Sequence, residues 1–151
     1  MPTISRTINT EIPIDRAFAY LADFSNAAAW DPGTVSSTPR DEAGPSVGQI
    51  YDLVVAWGDR RLPMEYRITE LIDGERVALV GDGSTTHAVD TITFEERLGG
   101  GTTVTYTADI RLKGLLRLAE PFLGSKFDAL GDDAEAGITT QLARLATHDG
   151  A

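Results

Sequence analysis

Cysteine is absent from this chain, so neither a disulfide nor thiolate chemistry belongs to it, and the composition suits a reducing compartment. Basic residues are scarce: 13 Lys and Arg stand against 23 Asp and Glu, a formal charge of −10. A surface of that sign repels nucleic acid and anionic lipid, and no basic run interrupts it. Neither is an expected partner. Histidine occurs only as His87 and His148, a pair with no metal-ligand spacing, so no metal is expected. There is no Ser–His–Asp grouping and no phosphate-cradling glycine loop. Gly81-Asp82-Gly83 and Gly99-Gly100-Gly101 read as hairpin turns, and no cofactor is expected. Long apolar runs are missing as well. No segment approaches a membrane span, and Met1-Pro2-Thr3-Ile4-Ser5-Arg6 lacks the apolar core of a signal peptide, which makes the cytoplasm the expected location. With 42% hydrophobic and 24% charged residues and no repeat or linker, the 151 residues fit one globular domain spanning 1–151, as a monomer or homodimer.

What the chain does have is one long amphipathic stretch near its end. From Pro121 to Ala146, Leu123, Phe127, Leu130, Ala134, Ile138, Leu142 and Leu145 recur every three or four residues and share a helical face. Asp128, Asp132, Glu135, Thr139 and Arg144 fall opposite. A helix of that span is about 39 Å long, too long for one neighbouring helix to cover. The centre of its apolar side carries Gly131, Ala134 and Gly137. Each mid-helix glycine costs about 1 kcal/mol relative to alanine. Either a sheet approaches closely there or space is left for a ligand, and these three are expected to border a cavity.

Before the helix the chain is strand-rich. Thr3–Thr10 alternates as a first strand, with Arg6 awkwardly on its apolar side. Two short helices follow, one capped by Asp15 and one by Ser25, the second ending at Trp30-Asp31-Pro32-Gly33. Strand-like alternation then continues to Leu112. Tyr51, Leu53, Val55 and Trp57 share a face, as do Leu62, Met64, Tyr66 and Ile68. Ala88, Asp90, Ile92 and Phe94 oppose His87, Val89, Thr91 and Thr93, and Val104, Tyr106, Ala108 and Ile110 oppose a threonine-rich face. That is the pattern of an antiparallel sheet with one buried side, curled around the long helix. Leu115–Glu120 reads as a further short helix.

Asp90 is the notable polar residue, because its neighbours two positions away, Ala88 and Ile92, place its carboxylate on the concave side. Enclosed there, it has a raised pKa and acts as acid, base or ligand anchor. At the open end of the sheet it is instead wet or paired with an arginine. Tyr66 and Tyr106 also read inward, each with an apolar ring and a hydroxyl that needs a partner.

Local wording carries a resemblance. Ile14-Asp15-Arg16-Ala17-Phe18-Ala19-Tyr20-Leu21-Ala22-Asp23, Trp30-Asp31-Pro32-Gly33, Asp90-Thr91-Ile92-Thr93-Phe94, Gly101-Thr102-Thr103-Val104-Thr105-Tyr106-Thr107-Ala108 and Leu130-Gly131-Asp132-Asp133-Ala134-Glu135 resemble the START-like superfamily, most of all its polyketide cyclase/dehydrase-like branch. The resemblance implies an α+β helix-grip fold: a curved antiparallel sheet of about seven strands around a long C-terminal helix, with two short helices after strand one. It implies a small, largely apolar ligand held between sheet and helix. Trp30, Trp57, Met64, Tyr66, Asp90, Ile92, Tyr106, Phe127, Leu130, Gly131 and Ala134 are then the expected ligand contacts. Trp30 is expected either to guard the mouth or only to seal the short helices to the sheet. An alternative is a cyclase- or dehydratase-type enzyme in which Asp90 moves a proton and Tyr66 or Tyr106 stabilises an enolate. A second alternative is a partner-binding module like the chaperone-ATPase activators of the superfamily. Fold does not choose among these.

Overall fold

A computed structural model of the chain describes residues 3–149, with side chains described as far as Thr147. Met1 and Pro2 of the N-terminal stretch, and the side chain of His148, lie outside the described residues.

Seven strands form one antiparallel sheet: β1 Thr3–Thr10, β2 Thr34–Pro39, β3 Ile50–Trp57, β4 Arg60–Ile72, β5 Arg76–Gly83, β6 Thr86–Glu96 and β7 Thr102–Leu112. The spatial order is β1-β7-β6-β5-β4-β3-β2. Five successive hairpins build β2 through β7, and β1 then closes on the far side of β7, pairing Ile4 with Ala108 and Ile8 with Val104. Register breaks between Thr34 and Ser36 and between Ile68 and Glu70 bend the strands that carry them. The inner face buries Leu53, Met64, Tyr66, Ile68, Leu79, Asp90, Ile92, Val104 and Tyr106. The outer face holds half-buried Thr91, Thr93, Thr105 and Thr107. Hydroxyl pairs run across that face, Ser5 with Thr107 at 3.3 Å and Thr7 with Thr105 at 3.5 Å.

The helices are α1 Ile14–Ala22, α2 Ala27–Trp30 and α3 Gly124–Asp149, with 3₁₀ segments at Phe24–Asn26 and Gly114–Phe122. Several boundaries differ from expectation. The cap of α1 is Pro13, whose carbonyl accepts from the amides of Arg16 and Ala17 at 3.1 and 3.0 Å. Asp15 sits inside the first turn, where a carboxylate complements the helix dipole. Asp23, not Ser25, caps the next turn: its Oδ1 accepts from the Ser25 amide at 3.1 Å and the Ser25 hydroxyl at 2.6 Å. Pro121 lies within the second 3₁₀ segment and does not open α3. Leu123, at φ −108° and ψ 12°, interrupts the helical path, and α3 starts at Gly124 and runs past Ala146. Gly81 and Gly83 belong to β5 and are not a turn. A Cβ on Gly81 would sit 2.5 Å from the ring of Tyr66, its cross-strand partner, so the missing side chain is the space the ring occupies. Gly99-Gly100-Gly101 does connect β6 to β7 as expected.

α3 lies across β1 and α2, with Phe127, Ala134, Ile138 and Leu142 buried. Its two interior glycines are contact points. A Cβ on Gly131 would meet Ile4 Cγ2 at 2.6 Å and the Arg6 guanidinium at 2.8 Å. A Cβ on Gly137 would overlap the backbone carbonyl of Trp30. Of the small-residue stripe only Ala134 borders open space. Gly131 and Gly137 mark close approach, and the expectation that they line a cavity is corrected. Arg6, awkward in a strand pattern, reaches α3 instead: Nη2 donates to the Asp128 carbonyl and the Asp132 carboxylate, both at 3.1 Å.

Gly137→Ala should therefore destabilise the fold by more than about 2 kcal/mol, because the obstacle is backbone and cannot rotate away. Urea denaturation measures this; an unchanged midpoint would mean that α2 can step back freely.

Candidate functional site

Between the concave face of the sheet and the first half of α3 lies a pocket of about 210 Å³. β3 contributes Leu53, Val55 and Trp57; β4 contributes Leu62, Met64 and Tyr66; β6 contributes Ala88 and Asp90; β7 contributes Tyr106, Ala108 and Ile110. These are alternate residues of adjacent strands, so the period of two brings them to one wall. The opposite wall is Leu123, Phe127, Leu130 and Ala134, whose helical spacing gives one face. At the outer end Leu116 and Ala119 of the second 3₁₀ segment line the pocket, while Leu115, Leu118 and Phe122 of the same segment are exposed.

Eight of the eleven expected contacts line this pocket: Trp57, Met64, Tyr66, Asp90, Tyr106, Phe127, Leu130 and Ala134. Three do not. Gly131 is covered by Ile4 and Arg6. Ile92 points to the same side as Asp90 but is fully buried. It stands between Asp90 and Phe94, which packs on Phe18 of α1 at 5.2 Å, so it belongs to the core beneath α1. Trp30 is 1% exposed and stands behind Tyr106, ring centroids 5.5 Å apart, with Phe24 at 6.0 Å. It seals α2 to the sheet and does not guard an entrance. Trp57 does stand near the surface, half-buried, 5.9 Å from Phe127 and with Lys126 Nζ 4.2 Å from its ring centroid.

The polar groups gather on the buried wall. Asp90 is 4% exposed, and its Oδ2 accepts a hydrogen bond of 2.9 Å from the Tyr106 hydroxyl. No arginine pairs with it among the described residues. Desolvation by burial pushes the Asp90 carboxyl up to about 7, against the opposing pull of the Tyr106 hydrogen bond; Asp31 and Asp109 add repulsion in the same upward direction. Burial raises both phenols well above their ordinary value, and the Asp90 and Asp31 charges add to that. The Tyr66 hydroxyl has no hydrogen-bond partner among the described residues.

Asp31 is the residue that sequence reasoning missed. It was legible only as part of a helix stop, yet its side chain lines the pocket. Its Oδ1 accepts from the Gly33 amide at 2.9 Å and its Oδ2 from the Thr34 hydroxyl at 3.0 Å, which hold the carboxyl in place. Burial raises its pKa, and those two donors counteract it. An aspartate whose turn is closed by its own side chain is common in loops, so the pattern carries no functional signal by itself. Arg60, exposed in the β3–β4 hairpin, was also missed; it is the one basic side chain among the described pocket residues.

A curled seven-stranded sheet gripping a long helix, with a pocket between them, defines a helix-grip protein of the START-like class. The chain belongs to the family described as polyketide cyclase / dehydrase and lipid transport, whose model matches residues 1–148. The Zhui aromatase/cyclase from Streptomyces sp. R1128 has a similar structure, with TM-score 0.78 and 15% identity over 95% of this chain and 94% of that one. A START superfamily protein from Mycobacterium smegmatis gives TM-score 0.77 at 11% identity, covering 95% of this chain and 98% of that one. A conserved protein from Geobacillus kaustophilus gives 0.69 at 17% identity, covering 95% and 96%. No curated protein matches the chain in sequence. No helix among the described residues is long and apolar enough to cross a membrane.

Two outcomes follow for Asp90. The folded protein keeps its proton up to about pH 7, whereas an unfolded carboxyl releases it near 3.8, so this group's stabilising contribution is complete below the lower value and lost as pH rises through the upper one. Asp90→Asn should gain stability relative to the parent across that window, by up to about 4 kcal/mol, as read from denaturation midpoints at successive pH values. Tyr106→Phe removes the donor to the carboxylate and should move the Asp90 titration further upward by NMR; a downward move would contradict the assignment of that bond.

Proposed function

We propose that this protein binds a small, largely apolar molecule in the pocket between the sheet and α3, in a carrier, sensor or storage role. The observation behind the reading is the pocket itself: a concave wall of aliphatic and aromatic side chains with a few polar groups, the usual make-up of a small-molecule site. Affinity would come from burying apolar surface, about 25 cal/mol per Å² removed from water. Asp90, Tyr66 and Tyr106 would set the ligand's orientation. The exposed apolar residues of the 3₁₀ segment Gly114–Phe122 frame the outer end, so entry is assigned to that side. The family's description and the similar aromatase/cyclase and START superfamily structures support an apolar ligand.

One observation favours a second reading, a cyclase or dehydratase. A buried carboxyl titrating near 7 is suited to give and take a proton near neutral pH. Under that reading Asp90→Asn lowers turnover of a polyketide-like substrate by about a hundredfold or more, with affinity largely kept. The carrier reading is preferred, because Asp90 is held by a tyrosine and no base partner stands beside it among the described residues.

Ala134 borders the open space, so Ala134→Phe should fill it at little cost in stability. The neutral probe N-phenylnaphthylamine should fluoresce on binding the parent protein, and the variant should bind it at least about tenfold more weakly, a difference of about 1.4 kcal/mol. Circular dichroism and a thermal melt check that the variant is folded. If the parent does not enhance the probe's emission, or the folded variant does so equally, the binding site is not this pocket.

A further inference from the structure

The charge around the buried wall is one-sided. Asp90 on β6 faces Tyr66 on β4, Tyr106 on β7 and Asp31 beyond α2, and Asp109 of β7 adds a further negative charge from the outer face. β5 contributes only Leu79 and Gly81 opposite Asp90 and Ala88. The nearest basic group on β1, Arg6, is not a pocket residue and is bound to the Asp132 carboxylate and the Asp128 carbonyl of α3. Arg60 lines the same pocket but at its exposed end, at the start of β4 and six residues along that strand from Tyr66 (66 − 60). The wall therefore offers acceptors without a compensating cation. One carboxylate oxygen of Asp90 has no hydrogen-bond donor, and the Tyr66 hydroxyl, in a side chain only 7% exposed, has no partner among the described residues.

Resting on the reading of this pocket as a binding site, we infer that its ligands are apolar molecules bearing a basic, hydrogen-bond-donating nitrogen, which Asp90 holds with Tyr66 as second partner, and that carboxylic acids of similar shape are rejected. An ammonium group supplies what the wall lacks: a positive charge and several N–H donors. A charge-assisted hydrogen bond is roughly twice as strong as a neutral one, which separates an amine from an alcohol of the same shape. A ligand carboxylate would meet Asp31 and Asp90 without a cation, and like charge in a low-dielectric site is a strong basis for exclusion. The half-buried Asp31 also repels the buried Asp90, and an ammonium group at Asp90 relieves that repulsion.

Three probes with one aromatic body test this: naphthylethylamine, naphthylethanol and naphthylacetate, titrated calorimetrically into the full chain near neutral pH. The expected order is amine, alcohol, acid, with the amine about tenfold tighter than the alcohol and about a hundredfold tighter than the acid. Asp90→Asn should cut amine affinity at least about tenfold and collapse the amine-to-alcohol ratio to within about threefold. If the acid binds as well as or better than the amine, the inference is overturned while the binding reading stands. A ratio that survives in folded Asp90→Asn overturns it too, because the preference then arises elsewhere. If none of the three binds, the binding reading itself fails. Should Asp90→Asn not fold, Tyr66→Phe serves as second variant: a loss of amine affinity exceeding the loss of alcohol affinity supports the assignment, and equal losses overturn it.

Discussion

The contact of α3 with the backbone beneath it governs this structure. At Gly137 the helix lies against the carbonyl of Trp30, and at Gly131 against Ile4 and Arg6. At Gly137 nothing larger than hydrogen fits against that backbone, and at Gly131 a Cβ would have to displace the Ile4 and Arg6 side chains. These approaches pin the middle of a 26-residue helix to β1 and α2. Beyond them, towards the C-terminus, Ile138 and Leu142 are almost fully buried. Towards the N-terminus Phe127 and Leu130 face the pocket, and between the two glycines Ala134 does so as well. A long helix held at its middle against a curled sheet diverges from that sheet somewhere. Here it diverges over β3, β4 and β6, and the pocket is the space left.

The polar wall of that pocket opposes stability. A buried carboxyl kept protonated to about pH 7 is a group that a purely structural core would exclude. The surrounding core packs Trp30, Tyr51 and Tyr66 around Phe24, and it too holds two buried polar atoms without a hydrogen-bond partner among the described residues, Trp30 Nε1 and the Tyr51 hydroxyl. Asp90 is the one ionisable side chain among the buried polar residues described, and it stands on the pocket wall, which is the arrangement expected where a fold gives up stability for recognition.

Several features were legible because each depends on local periodicity. The inward placement of Tyr66, Asp90 and Tyr106 follows from a period of two, which a strand cannot violate without a bulge. The apolar stripe of α3 follows from a period of 3.6. The small residues on that stripe were legible as an anomaly but not as a meaning, since a glycine serves close approach and open space equally well. Gly81 shows the same ambiguity: in sequence it belongs to a glycine-rich turn, while in the sheet it is the seat of the Tyr66 ring.

The chain order of hydrophobic and polar residues alone determined most of the strands, the long helix, the buried face of each and the presence of a carboxylate on the concave side. β2 at Thr34–Pro39 carried no such pattern, and the count of seven came from the resemblance. Only the tertiary structure decided which inward residues share a space. Asp31 and Asp90 are 59 positions apart (90 − 31) and come together because α2 is seated against α3 at Gly137. Trp30 and Ile92 fall on the right faces yet outside the pocket, because the line between packed core and open space is drawn by how far the helix stands from the sheet. That distance is a property of the whole packing. No local pattern encodes it.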